Sequence, residues 1–195
     1  MWRIIRSPIA TLKLAEKDAL EPGKALFDEL VSPPIFLLLT LILVHSVELV
    51  TVGESEIVTN TQGFSGLISS DTALIIFRIL TFAVLPLAAA VRLLRLRGIK
   101  LGKESLRAPF YAQCYVTGLF ALMWDVASLF AAERFSLPVA VYFSLLALSL
   151  LWLLVVEARW FAVEAKGSLA VGFGNAAIMI GQWLLLVAMT VMLLR

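Results

Sequence analysis

Apolar positions along the chain gather into five long runs, over residues 34–52, 73–94, 109–130, 138–160 and 171–194, with short polar stretches between them. A helix needs about 20 mostly apolar residues to cross the ~30 Å hydrocarbon layer, and each run is long enough. Backbone groups in lipid have no water to bond with, so each run must pair its own amides and carbonyls as an α-helix. Barrel strands would alternate apolar and polar positions in short pieces, and these runs do not. The pattern predicts an all-α bundle of five transmembrane helices in one domain over 34–195, preceded by a cytoplasmic segment over 1–33.

Polarity changes more quickly in that first segment. Trp2, Ile4, Ile5, Ile9, Leu12 and Leu14 are interleaved with Arg3, Arg6, Lys13, Glu16 and Lys17. This spacing predicts an amphipathic helix lying in the headgroup layer. Ser7-Pro8 reads as a helix start, because proline at the first helical position gives up an amide that would lack a partner anyway. Glu21-Pro22-Gly23 ends the helix, and residues 24–31 lead to Ser32-Pro33-Pro34 at the membrane entrance. The segment is too charged and too interrupted to be a signal peptide.

Composition supports the membrane reading. The 195 residues are 61% hydrophobic and 15% charged, against about 45–50% and about 25% in soluble domains. A single cysteine, Cys114, excludes a disulfide scaffold. Scarce charge and a net charge of +2 exclude a disordered chain and a nucleic-acid-binding domain. Counting Arg92 and Arg159, at the ends of the second and fourth runs, with the loops that follow them, the segments before, between and after the five runs carry five, none, six, one, two and one Lys or Arg in turn, and Arg78 lies well inside the second run. The alternation puts thirteen cations on one side, which the positive-inside rule makes cytoplasmic. The N-terminus is then inside and the C-terminus outside. Within the richest loop, Arg92, Arg95, Arg97, Lys100 and Lys103 are expected to contact anionic headgroups.

Few ionisable groups interrupt the runs, and an ionisable group in hydrocarbon usually faces the bundle and finds a partner. At ~1.5 Å per residue, Glu48 lies ~21 Å and Asp125 ~24 Å from the cytoplasmic edge, and Arg78 ~7 Å from the outer one. All three fall in the outer third of the membrane, with His45 one helical turn below Glu48. Arg78 is the natural counter-ion for Glu48, Asp125 or both. Asp125 shares a face with Ala121, Gly118 and Cys114, small residues that let another helix come close. This cluster is either an ion-pair knot that specifies which helices meet or a relay for protons or cations. In the fifth run Gly174, Ala177, Gly181 and Ala188 form a small-residue face beside Asn175 and Gln182. It suits close packing within the bundle or against a partner. Pro86 offers a kink in the second run. Pro33-Pro34-Ile35-Phe36 followed by Glu48, and Ala108-Pro109-Phe110-Tyr111 followed by Asp125, suggest a parallel repeat of spans one-two in spans three-four.

Catalytic patterns are sparse. Gly63-Phe64-Ser65-Gly66 resembles the nucleophile motif of rhomboid intramembrane proteases, but Ser65 falls in an outer loop and His45, the one histidine, lies well below it. His45 and Glu48 offer two metal ligands on one helix face, and a third would have to come from a carboxylate such as Asp125. Residues 167–174 are glycine-rich but lack the lysine and the preceding strand of a phosphate-binding loop. No catalytic residue, cofactor or metal is assigned.

Five spans with a cytoplasmic N-terminal segment resemble the Yip1-like family and the bacterial proteins labelled permeases that are grouped with it. Ile4-Ile5-Arg6-Ser7-Pro8-Ile9-Ala10-Thr11 is similar to the short leader of the bacterial members, and Pro33-Pro34-Ile35-Phe36 and Pro109-Phe110-Tyr111 add to the likeness. The Asp-x-x-Gly-Pro signature of eukaryotic members is absent. The resemblance implies a non-enzymatic protein of a bacterial inner membrane that acts with a partner membrane protein or a second copy of itself. The alternative is a small transporter component using the His45, Glu48, Arg78 and Asp125 layer.

Overall fold

The computed structural model of the chain describes residues 2–20, 31–53, 71–130 and 138–194. Among these residues the structure is all-α. Its helices are α1 (Trp2–Arg6), α2 (Pro8–Leu20), α3 (Pro33–Thr51), α4 (Asp71–Leu96), α5 (Lys103–Leu129), α6 (Val139–Glu164) and α7 (Leu169–Leu194). Four of them, α3, α4, α6 and α7, are long and apolar enough to cross a membrane.

The remaining long helix, α5, is the centre of the bundle. It packs against α2, α3, α4 and α6, and α7 lies against α6 and α4. Gln113, Thr117 and Asp125 are buried on α5, together with Cys114, Phe120 and Ala121. A helix enclosed by other helices meets side chains where its neighbours meet lipid, so it tolerates polar residues that they do not. That is why α5 is less apolar than the other long helices, α3, α4, α6 and α7. The outer helices carry the reverse pattern: on α3, Leu37, Leu41, Val44 and His45 are buried while Leu39, Leu43 and Val50 are exposed.

Two glycines set the closest helix approaches. At Gly118 of α5 a Cβ would lie 2.7 Å from the ring of Phe36 and 3.4 Å from the Cα of Leu37, so its absence admits α3. At Gly172 of α7 a Cβ would collide with the carbonyl oxygen of Ala158 and come within 3.0 Å of the Ala162 Cβ on α6. The α6–α7 hairpin turns over residues 165–168, where Lys166 takes a left-handed conformation with φ of 48°. An aromatic group joins three helices across the core: the Trp183 ring stands 5.7 Å from Phe82, 5.3 Å from Phe120 and 5.2 Å from Trp124, centroid to centroid. Its indole N–H donates to the Thr81 carbonyl at 3.1 Å. That carbonyl precedes the one at Phe82, whose helical donor Pro86 lacks.

The N-terminal helix α2 rests on protein. Thr11, Leu12, Ala15, Glu16 and Ala19, spaced as one helical stripe, are buried, and the helix packs on α5 and α6. Ser7 takes part in the α2 start through its backbone carbonyl, which accepts from the Thr11 amide at 3.1 Å and the Thr11 hydroxyl at 3.0 Å. Residues 21–30 and the Gly63–Gly66 motif lie outside the described residues.

Candidate functional site

The polar groups of the bundle fall into three layers. In the first, α3 presents His45 and Glu48 on the same face, α4 presents Arg78 and α5 presents Asp125. The structure brings Arg78 and Glu48 together, with Nη1 2.5 Å from Oε2. The contact is an ion pair without hydrogen-bond alignment, since Arg78 Nη1 has no partner in that geometry. His45 Nδ1 stands 3.9 Å from the same Glu48 oxygen, and neither of its ring nitrogens has a hydrogen-bond partner. Asp125 is buried within electrostatic reach of Arg78 and Glu48, with Oδ2 unpartnered. The ion pair fixes α3 to α4, while Asp125 and His45 stand by as buried groups with bonding capacity unused.

The middle layer escapes the sequence reading. Gln113 Nε2 of α5 donates to Glu157 Oε2 of α6 at 3.1 Å; both residues are buried, and Glu157 Oε1 has no partner. Glu157 sits near the end of its apolar run, two residues before Arg159, and so resembles a boundary residue. The signal that reveals it is periodicity: Leu153, Val156, Glu157, Trp160 and Phe161 make one buried stripe, and the acid lies in the middle of that face.

The third layer joins the ends of α2, α4 and α6. Arg97 Nη1 and Nη2 donate to Glu16 at 2.5 and 3.1 Å, and Nη2 also donates to Glu164 at 2.6 Å. Lys13 Nζ lies 3.9 Å from Glu164. The hydrogen bond to Glu16 is the largest influence on the Arg97 guanidinium and, with Glu164, raises its pKa above the ordinary arginine value despite partial burial. Arg97, expected among the headgroup contacts, is thus committed to two carboxylates of its own chain. These groups border a pocket of about 460 Å3 with Lys17 and Leu20.

The other cations of that group are placed differently. Arg95, Lys100 and Lys103 are exposed. Arg92 reaches across to α7, where Nη1 meets Asn175 Oδ1 at 3.5 Å and Nη2 meets Gln182 Oε1 at 3.1 Å, leaving Nε buried without a partner. The amides beside the small-residue face therefore bond within the bundle. The face itself does not pack there: Gly174, Ala177, Gly181 and Ala188 are exposed, and a Cβ on either glycine would meet nothing within 4 Å. The inward face of α7 is Gly172, Ala176, Met179, Ile180 and Trp183.

No group of three or more His, Cys, Asp or Glu side chains is placed to hold a metal ion among the described residues. Cys114 is a buried free thiol. No protein-family profile, curated protein or solved structure matches the chain.

Proposed function

We propose that this chain is a non-enzymatic inner-membrane protein, an accessory or scaffold subunit that docks a helix of a partner membrane protein on the outer face of α7. The observation that carries the reading is the exposed stripe Gly174, Ala177, Gly181 and Ala188, on the side of α7 opposite Gly172, Met179 and Trp183. Between membrane helices there is no hydrophobic driving force, so close backbone approach at small residues is a main source of affinity. An exposed stripe of that kind supports an attachment surface.

In this reading the chain crosses the membrane five times, with α5 as the third span in chain order. At ~1.5 Å per residue its 27 residues extend ~40 Å, and its polar groups turn toward protein. The N-terminus is cytoplasmic and the C-terminus outside, in keeping with the thirteen cations on one side and with the attachment of α2 to Arg97 through Glu16 and to Glu164 through Lys13. The Yip1-like resemblance agrees with this topology, and a bacterial inner membrane is the setting it suggests.

Purification from native membranes in mild detergent tests the reading. It predicts a complex in which one membrane protein stays bound to the wild type and is lost on Gly181→Ile, with the variant still folded. A strictly monomeric chain, or a partner retained equally by the variant, contradicts it.

A second reading has its own support. Asp125 and His45 are buried with unused bonding capacity next to the Glu48–Arg78 pair, and intramembrane ionisable groups commonly mark ion pathways. Proton-dependent uptake by reconstituted vesicles that disappears with Asp125→Asn would establish a transporter component; absence of flux for any tested solute removes it.

A further inference from the structure

We propose that the groove between α4 and α7 binds one anionic phospholipid, with its phosphate on Arg92 and Arg95 and the start of an acyl chain along Val84, Leu87 and Val91. The inference rests on α4 and α7 being membrane spans, and it is independent of the partner assigned to the outer face of α7.

The argument begins with charge. Arg78 has Glu48 beside it, and Arg97 has Glu16 and Glu164. Arg92 and Arg95 form no ion pair among the described residues. Arg92 has only the neutral amides of Asn175 and Gln182, and its Nε is buried without a partner. The two arginines are three residues apart on α4 and border the same groove, so their charges add where no carboxylate offsets them. A cation at the edge of the hydrocarbon layer is costly until it meets an anion.

Shape selects the kind of anion. The groove holds about 240 Å3, less than the roughly 300–1,000 Å3 of a pocket that encloses a drug-sized solute. Its polar end is Arg92, Arg95 and Gln182, and its wall is aliphatic. From Arg92 to Val84 that wall climbs α4 by about 12 Å, away from the basic loop toward the membrane interior. A free phosphate would use the cationic end and leave the wall bare, whereas a phosphodiester carrying an acyl chain uses both. Arg92 and Arg95 also lie within the last two turns of α4, the level at which headgroup phosphates are found.

Native mass spectrometry of the purified full chain, titrated with phosphatidylglycerol, phosphatidylcholine or inorganic phosphate, tests the proposal. The expected result is one tightly retained phosphatidylglycerol. Arg92→Gln also removes the bonds to α7, so the deciding variant is Arg95→Gln, whose side chain is exposed and makes no hydrogen bond or ion pair among the described residues. It should weaken retention about fivefold, while Lys100→Gln and Lys103→Gln leave it unchanged. Equal retention of phosphatidylcholine, occupancy by inorganic phosphate alone, an unaffected Arg95→Gln protein, or an equal loss in the lysine variants would each overturn it. Alkaline extraction of membranes examines the spans separately, so failure of that premise is distinguishable from failure of the lipid site.

Discussion

Gly172 of α7 faces the carbonyl oxygen of Ala158 on α6 so closely that the hydrogen of a glycine Cα is all the space between them admits. Two residues further on, Gly174 points away from the bundle and meets nothing within 4 Å. The two glycines look alike in sequence and have opposite roles.

Gly172→Ala should therefore destabilise the protein by roughly 1–3 kcal/mol, the usual range for overpacking a close contact. Gly174→Ala should leave it unchanged or raise it by up to about 1 kcal/mol through helix propensity. Thermal unfolding in detergent reads both. Equal effects would mean that α6 and α7 do not meet at Gly172.

Removing one partner of the Glu48–Arg78 pair strands the other charge. Arg78→Ala is expected to cost roughly 3 kcal/mol and to lower folded yield, and Glu48→Gln combined with Arg78→Gln should recover part of the loss. Full expression and a wild-type melting temperature for Arg78→Ala would show that the pair does not hold α3 to α4.

Arg97→Gln removes charge-assisted bonds to Glu16 and Glu164, each worth about 1.5–3 kcal/mol when well formed. Its first consequence should be release of α2, seen as faster amide exchange over residues 8–20 while the exchange of α5 is unchanged. The pH dependence has a definite sign. The folded-state value of Arg97 is raised, so its contribution is present below the unfolded value and is lost only as pH rises through the still higher folded value. Deprotonation of Arg97 should therefore not loosen α2 between pH ~7 and ~10; loss of α2 protection in the Arg97→Gln protein alone fits the bridge.

Glu157 and Gln113 offer a separate check on the middle layer. Gln113→Leu leaves Glu157 Oε2 without the donor it has at 3.1 Å, at an expected cost of about 1–3 kcal/mol. Glu157→Gln keeps an acceptor in place and should cost less. Unfolding temperatures in the reverse order would contradict the pairing.

Sequence periodicity marks the long helices because apolar length is what a membrane demands of a span, and α3, α4, α6 and α7 carry that signal. It marks α5 less strongly, because a helix enclosed by protein is not bound by lipid's preferences. The proximity of Glu48 and Arg78 was legible since few charges interrupt the runs and opposite charges seek each other. The bridge from Arg97 to Glu16 was not: it joins residues 81 positions apart, and a basic residue after a span satisfies the positive-inside pattern whether it faces lipid or protein. Glu157 was hidden for a related reason, since an acid near the end of an apolar run gives no sign of which way it points. The small-residue face of α7 could be seen in sequence, but its outward direction depends on where Gly172 and Trp183 turn.

That outward direction carries the functional proposal. Photo-crosslinking in native membranes from probes at positions 174, 177 and 181, with position 148 of α6 as an exposed control, tests it most directly. The account predicts an adduct of one defined mass from the three α7 positions, none from position 148, and loss of the adduct from position 177 when Gly181→Ile is introduced. Adducts of equal yield from both helices, or none from α7 in a folded protein, would contradict it.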